Sequence, residues 1–183
     1  MMLYILKGPA CQQINFSMPG VTISGLSFAW VANAIQQGTI GVVIEAQKPG
    51  AGASYKPDPD QFSLPHPTFG VAMNEMAAIV HESVHAWVDL TKTSTSRVTN
   101  ELCAYLAGAM FREYMHEKQP QDPPTFKVAG LVAQRLIARN DRTVRRDEIE
   151  MMRIELQRRP IYADIFKPGF EDGANGVRGN KDF

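Results

Sequence analysis

Ala77-Ala-Ile-Val-His-Glu-Ser-Val-His-Ala-Trp-Val-Asp89 is the stretch on which the rest of the chain turns. Met76, Ile79, Val80, Val84, Trp87 and Val88 recur at helical spacing and give the segment a broad apolar face. His81 and His85 stand four residues apart, one turn above the other, so their imidazoles leave the same face and can converge on one cation. Glu82 follows His81 by about 100° of rotation, which sets a carboxylate beside such a cation rather than necessarily on it. The expectation is a core helix that also bears ligands, with Asn74 as its N-cap and Glu75 in its first turn, favourable to the helix dipole.

Upstream, 26–37 places Leu26, Trp30, Val31 and Ile35 close to helical spacing ahead of Gly38, which predicts a second helix, with Trp30 and Trp87 both in the core. Residues 39–46 are rich in β-branched side chains and end at the turn composition Lys48-Pro-Gly-Ala-Gly52. After 53–56 comes another turn, Asp58-Pro-Asp60, and Gln61-Phe-Ser-Leu64 resumes an extended pattern. Together they predict a small antiparallel sheet just before the ligand helix. On that sheet Tyr55 and Phe62 either line a substrate groove or follow alternating burial. Pro65 and Pro67 hold His66 in a loop, where an exposed histidine is the expectation. The first twenty residues, interrupted by Gly8-Pro9 and Pro19-Gly20, read as an irregular or short-strand lead-in.

Downstream, Leu90-Thr-Lys-Thr-Ser-Thr-Ser96 is a polar loop in which Ser94, Thr95 or Ser96 can cap a helix over 97–116, packed through Val98, Leu102, Tyr105, Leu106, Ala109 and Met110. Gln119-Pro-Gln-Asp-Pro-Pro124 breaks the chain before helices over 126–139 and 143–158. In the last of these Arg145, Arg146, Arg153, Arg158 and Arg159 alternate with Asp147, Glu148, Glu150 and Glu155, the pattern of a solvated, ion-paired face. From residue 167 the composition turns to Gly, Asn, Asp and Lys, which predicts disorder. Residues 1–166 are therefore expected to form one α+β domain: a small antiparallel sheet packed on a helical hairpin that carries the metal site, with additional C-terminal helices, followed by a disordered tail over 167–183.

The totals agree with one globular core: 183 residues, 44% of them hydrophobic and 21% charged. Net charge is zero, so the balance calls for neither a nucleic-acid nor a membrane partner. Two cysteines, Cys11 and Cys103, indicate no disulfide framework, and Cys103 reads as a small buried hydrophobe. Leu3-Tyr-Ile-Leu6 is too short for a signal-peptide core and no run approaches the length of a membrane span, so the location expected by default is cytoplasmic.

Two histidines do not complete a catalytic zinc site, which takes three protein ligands and keeps a position for water. His85 and Glu101 lie equidistant from Thr93, the middle of the polar loop. In an antiparallel hairpin folded about that loop they face each other at one height, which makes Glu101 the candidate third ligand. A His-Glu-any-any-His match arises by accident in a chain of this size on the order of once in a few hundred, so chance is a weaker account than chemistry. Glu82 then stands where a general base for an activated water belongs.

These residues resemble a family. His81-Glu82-Ser-Val-His85-Ala-Trp-Val-Asp89 followed by Asn100-Glu101-Leu-Cys-Ala104 is similar to the gluzincin metallopeptidases, most closely the thermolysin-like pattern HExxHAxxD then NExxA/S. The resemblance covers residues 81–105. It implies one Zn2+ held by His81, His85 and Glu101, with Glu82 as catalytic base and Asp89 and Asn100 as supporting residues. It also implies a zincin-like fold whose sheet edge binds an extended peptide. The chain departs from the family in a shorter ligand loop, in lacking room for a two-lobed body, and in Tyr105, which stands where the pattern has an acidic residue; a compact gluzincin domain follows. The expected activity is hydrolysis of peptide bonds, endopeptidase rather than exopeptidase, on a peptide or protein substrate. An inhibitor or immunity partner is unreadable. For the oxyanion donor, Tyr105, Tyr114, His116 and Tyr162 stand open. The rival readings are a catalytically inactive zincin-like binding module and a helical interaction protein with a chance HExxH.

Overall fold

The computed structural model describes residues 1–46, 52–115 and 126–167. His116, the break at Gln119–Pro124, most of the expected turn after residue 46 and the tail from 168 onward lie outside the described residues. Two short helices, α1 (Met2–Leu6) and α2 (Pro9–Gln13), open the chain and bury Met2, Ile5, Leu6, Ala10 and Cys11. They lead into an antiparallel hairpin of β1 (Asn15–Met18) and β2 (Val21–Ser24), with Met18 opposite Val21. Pro19-Gly20 forms its tight turn, and Gly20 takes φ +80, a left-handed value that glycine reaches at little cost. The lead-in is thus more regular than the sequence predicts.

Helix α3 (Gly25–Gln36) matches the predicted second helix, but its buried side is Phe28, Val31, Ala32 and Ala34. Leu26 and Trp30 point outward, 68% and 43% exposed, which corrects the expectation that Trp30 is core. Small alanines let this helix lie close to its neighbours, whereas the bulky Leu26 and Trp30 face out. Trp30 meets Trp87 edge to face with ring centroids 6.3 Å apart.

The three-stranded sheet is mixed, not antiparallel. β3 (Gly41–Ile44) pairs in parallel with β5 (Gln61–Leu64), and β4 (Ser54–Lys56) pairs antiparallel with β5 on its other side. A tight turn after β3 would have forced a β3–β4 hairpin. Instead β5 lies between its two predecessors.

Helix α4 (Met73–Leu90) is the predicted ligand helix, and its buried residues include Ile79, Val80, Val84, Ala86 and Val88. It begins at Met73 with Ala72 as N-cap, so Asn74 is inside the first turn rather than capping it. Glu75 does the capping from within: its Oε2 accepts the amides of Gly70, Val71 and Ala72 at 3.0, 3.0 and 3.1 Å. Those bonds, that of Ala72 foremost, hold the Glu75 carboxyl below the usual carboxylate range. At the far end Lys92 adopts φ +51, and the amides of Lys92 and Thr93 return to the carbonyls of Asp89 and Val88 at 3.0 and 2.9 Å. This Schellman arrangement reverses the chain into α5 (Arg97–Tyr114), which Ser96 caps by accepting the Thr99 amide at 3.1 Å.

Helices α4 and α5 run antiparallel and in close contact: a Cβ added at Gly108 would stand 3.3 Å from the Ala77 carbonyl oxygen. Over them fold α6 (Lys127–Arg139), α7 (Arg146–Gln157) and a 3₁₀ segment, Pro160–Phe166. The last helix starts later than 143–158 predicts because 142–144 lie along β1, with Ser17 N–H to Arg142 O at 2.6 Å and Val144 N–H to Ser17 O at 3.1 Å. Its acidic residues are not all solvated. Glu148 is buried and accepts both terminal nitrogens of Arg139 at 2.6 and 3.1 Å, which ties α7 to the end of α6. The buried apolar residues form one cluster reaching from Met2 to Leu156, both cysteines are free within it, and among the described residues no helix is long and apolar enough to cross a membrane.

Gly108→Val should force α4 and α5 apart and lower stability by about 1–3 kcal/mol in urea denaturation. Gly130→Ala, at an α6 position with nothing within 4 Å of the new methyl group, should raise it by about 0.5–1 kcal/mol.

Candidate metal centre

Antiparallel packing sets the four chemistry-bearing side chains of the hairpin against one another. His81 Nε2 and His85 Nε2 stand 3.2 Å apart. Glu101 reaches across from α5 with Oε2 at 3.5 Å from His81 Nε2 and Oε1 at 3.5 Å from His85 Nε2. Glu82 Oε1 lies 3.9 Å from His81 Nε2. All four side chains are between 15% and 21% exposed, enough for access and little enough to strengthen their interactions.

Neighbours fix the orientation of each group. His85 Nδ1 is 3.0 Å from Asn100 Oδ1. With that oxygen accepting, the imidazole carries its proton on Nδ1 and turns the Nε2 lone pair into the site. Asn100 is on α5 beside Glu101, so the residue that supplies one candidate ligand is adjacent to the one that orients another. His81 meets Tyr105, one turn beyond Glu101, edge to face at 4.6 Å between centroids. Glu82 is held from the sheet: the Tyr55 amide donates to its Oε2 at 2.8 Å, leaving Oε1 toward the histidines. The Tyr55 phenol donates to Asp89 Oδ2 at 2.8 Å, two turns further along α4. One residue of β4 therefore grips α4 at two heights, and it does so from burial, with Phe62 packed against its ring at 5.2 Å. That answers the alternative left open for Tyr55 and Phe62 in favour of burial.

The electrostatics follow from this enclosure. Burial pushes the Glu82 carboxyl up to about 7, with the Glu101 charge adding to the rise against His85 and the Tyr55 amide. Burial acts on Glu101 in the same direction, but His81 and His85 outweigh it and hold that carboxyl below the usual range. Burial, and then Asp89, raises the Tyr55 phenol, so it stays a donor.

His81, Glu82 and His85 form a group whose ligand atoms all lie within 4.8 Å of one another and could hold a metal ion. Glu101 stands outside that group of three but against both imidazoles, and its Oε2 is buried with no hydrogen-bond partner among the described residues. Of the two glutamates, Glu101 spans both imidazoles, whereas Glu82 has one oxygen committed to the Tyr55 amide.

The remaining sequence candidates separate cleanly. Tyr105 and Tyr162 come together beside the histidines, their hydroxyls hydrogen-bonded to each other. Burial, then the Glu101 charge, raises the Tyr162 phenol. Tyr114 lies thirteen residues past Glu101 on α5, about 20 Å along the axis, where it lines a separate cavity with Gln12 and Arg142. His66 sits before α4 with Nε2 3.3 Å from Glu75 Oε1. Two contributors were not legible in the sequence: the Tyr55 main-chain amide, and Phe126, which stacks on Tyr105 at 4.2 Å.

Comparison with family models, with curated proteins and with solved structures finds no match for this chain. The gluzincin resemblance therefore stands on residues 81–105 alone.

Tyr55→Phe should leave Asp89 buried without this donor and cost about 1–3 kcal/mol in urea denaturation. Tyr4→Phe, on a side chain 80% exposed, should change stability by less than about 0.5 kcal/mol.

Proposed function

We propose that this chain is a compact zincin-like metallopeptidase that binds one zinc ion through His81, His85 and Glu101 and hydrolyses peptide bonds with Glu82 as general base. The observation that carries the reading is the spacing of the donors. Two nitrogens each about 2.0–2.1 Å from a tetrahedral ion stand about 3.3 Å apart, and a nitrogen and a carboxylate oxygen about 3.4 Å. The nitrogens here stand 3.2 Å apart, and the Glu101 carboxylate straddles them, with Oε2 3.5 Å from His81 Nε2 and Oε1 3.5 Å from His85 Nε2. The donor set, two imidazoles and a carboxylate, is also one that zinc takes when it keeps a position open.

Zinc, when bound, supplies Lewis acidity: enough to activate a water near neutral pH and to polarise an amide carbonyl. The protein does the rest. Glu82, anchored through Oε2 by the Tyr55 amide, presents Oε1 to take a proton from the attacking water, and it returns that proton to the departing amine as the C–N bond breaks. Asn100 keeps the His85 proton off the nitrogen that faces the site. The Tyr105–Tyr162 pair supplies the donor for the carbonyl oxygen as it gains charge. Tyr162 is taken as the donating member, since burial and then the Glu101 charge keep its phenol protonated beside the histidines.

Metal content and hydrolysis of labelled casein separate ligands from catalyst. Glu82→Gln should keep one zinc per chain and lose about 10²–10⁴-fold in turnover; turnover equal to the parent would remove Glu82 from the mechanism. Glu101→Ala should instead lose zinc and activity together, and full zinc in that variant would break the ligand assignment.

Tyr162→Phe should retain zinc and KM while kcat falls about 10²–10³-fold. A kcat unchanged by this substitution would transfer the donor role elsewhere.

A further inference from the structure

Arg159 joins the end of α7 to the 3₁₀ segment that begins at Pro160, beside the stacked rings of Phe126 and Tyr105. Its guanidinium carbon lies 5.0 Å from the Phe126 ring centroid and 6.0 Å from that of Tyr105. Phe126 and Tyr105 are stacked, 11° from parallel, and Tyr105 turns its other contact to His81. A cation thus flanks the same rings that back a candidate metal ligand.

That cation is poorly paired. Among the described residues the carboxylate oxygen within reach is Glu155 Oε1, 4.0 Å from Arg159 Nη2. Glu155 is itself committed to the first turn of α6, accepting the amides of Lys127 and Val128 at 2.9 and 2.8 Å. Among the described residues the Arg159 guanidinium makes no hydrogen bond, although its side chain is only 23% exposed. Arg139, equally exposed, shows how this fold satisfies a structural arginine: it holds Glu148 with both terminal nitrogens. A planar fork of five donors, largely out of water and with only this long ion pair among the described residues, has donors to spare for a second carboxylate.

We infer that Arg159 recognises a carboxylate of the substrate, so that the site takes peptides bearing an anion at the position that reaches the Phe126–Tyr105 wall. The anion is either the C-terminal carboxylate of a short peptide or an Asp or Glu side chain within a longer one. The inference rests on the metallopeptidase reading for the nature of the substrate. The aromatic wall supports it physically, because rings beside the guanidinium restrict its motion and shield it from water, which strengthens a charge-assisted pair.

The test uses the zinc-loaded Glu82→Gln protein and three N-acetylated tetrapeptides of neutral, partly aromatic sequence: the free acid, its C-terminal amide, and the amide with one residue replaced by Asp. Titration calorimetry should give the free acid or the Asp peptide about tenfold or more tighter binding than the neutral amide, as expected for a charged hydrogen bond. Which of the two gains identifies the source of the anion. Arg159→Gln should bring the anionic peptide down to the affinity of the amide, and Arg159→Lys should restore only part because an ammonium cannot bind bidentately. Equal affinities for all three peptides in the parent, no binding of any, or a preference that survives Arg159→Gln would overturn the inference; the first comparison needs no variant to fold. Hydrolysis of the same peptides by the zinc-loaded wild type separates the two levels. Cleavage indifferent to charge sinks Arg159 and leaves the peptidase standing, while an Arg159-dependent preference without any cleavage does the reverse.

Discussion

The close antiparallel approach of α4 and α5 is the constraint from which the rest of the molecule follows. Gly108 allows it, since a side chain there would meet the Ala77 carbonyl oxygen. The turn at Lys92 sets its register, with His85 opposite Asn100 and the two histidines opposite Glu101. Helices held further apart would still bury their apolar faces against α3 and α6. They would not place a carboxylate of one within 3.5 Å of two imidazoles of the other. Packing distance is therefore a chemical variable here, because a ligand set tolerates far less displacement than a hydrophobic core does.

Enclosing so many polar groups costs free energy unless each is answered. The structure answers Glu82 and Asp89 with a main-chain and a side-chain donor from outside the hairpin. Tyr55 is the clearest case: its amide meets Glu82 and its phenol meets Asp89, so β4 and α4 are joined by polar bonds within an otherwise apolar contact. Asp89 is 3% exposed and would be a serious liability alone. Paired, it fixes the height of the strand along the helix and hence the point at which the Tyr55 amide meets Glu82. A residue that supports the fold at one end thereby orients the Glu82 carboxylate at the other.

The centre was legible in the sequence wherever the signal was local or reflected about one loop. His81 and His85 declare themselves by four-residue spacing on an apolar helix, and Glu101 follows from its distance to the loop midpoint. The helices were legible too, to within a few residues, because period and caps are written nearby. What escaped depends on contacts between distant segments. Whether β3 lies parallel or antiparallel to β5 is decided by the route of the intervening chain, which turn composition does not encode. The outward position of Trp30 reflects a competition between two apolar faces of α3 that only its neighbours resolve. Phe126 stands just before α6 and Arg159 just after α7, and no local pattern brings either to Tyr105. The Tyr55 amide could not have been found at all, since every residue but proline has one.

Tyr105 has a physical logic at a position where the thermolysin-like pattern carries an acid. On the proposed reading, a divalent cation with ionised Glu82 and Glu101 makes a centre of zero net charge. A third carboxylate packed against His81 would make it an anion in a pocket where the existing side chains are about one-fifth exposed or less, and excess charge in such a place is costly. Tyr105 avoids that cost. Its ring edge restrains His81 by packing, its hydroxyl joins that of Tyr162, and its face stacks on Phe126. One side chain thus links a candidate ligand, a candidate donor and the aromatic wall beside Arg159. A phenol at this position also adds no negative charge beside the Arg159 guanidinium, whose carbon lies 6.0 Å from the Tyr105 ring centroid.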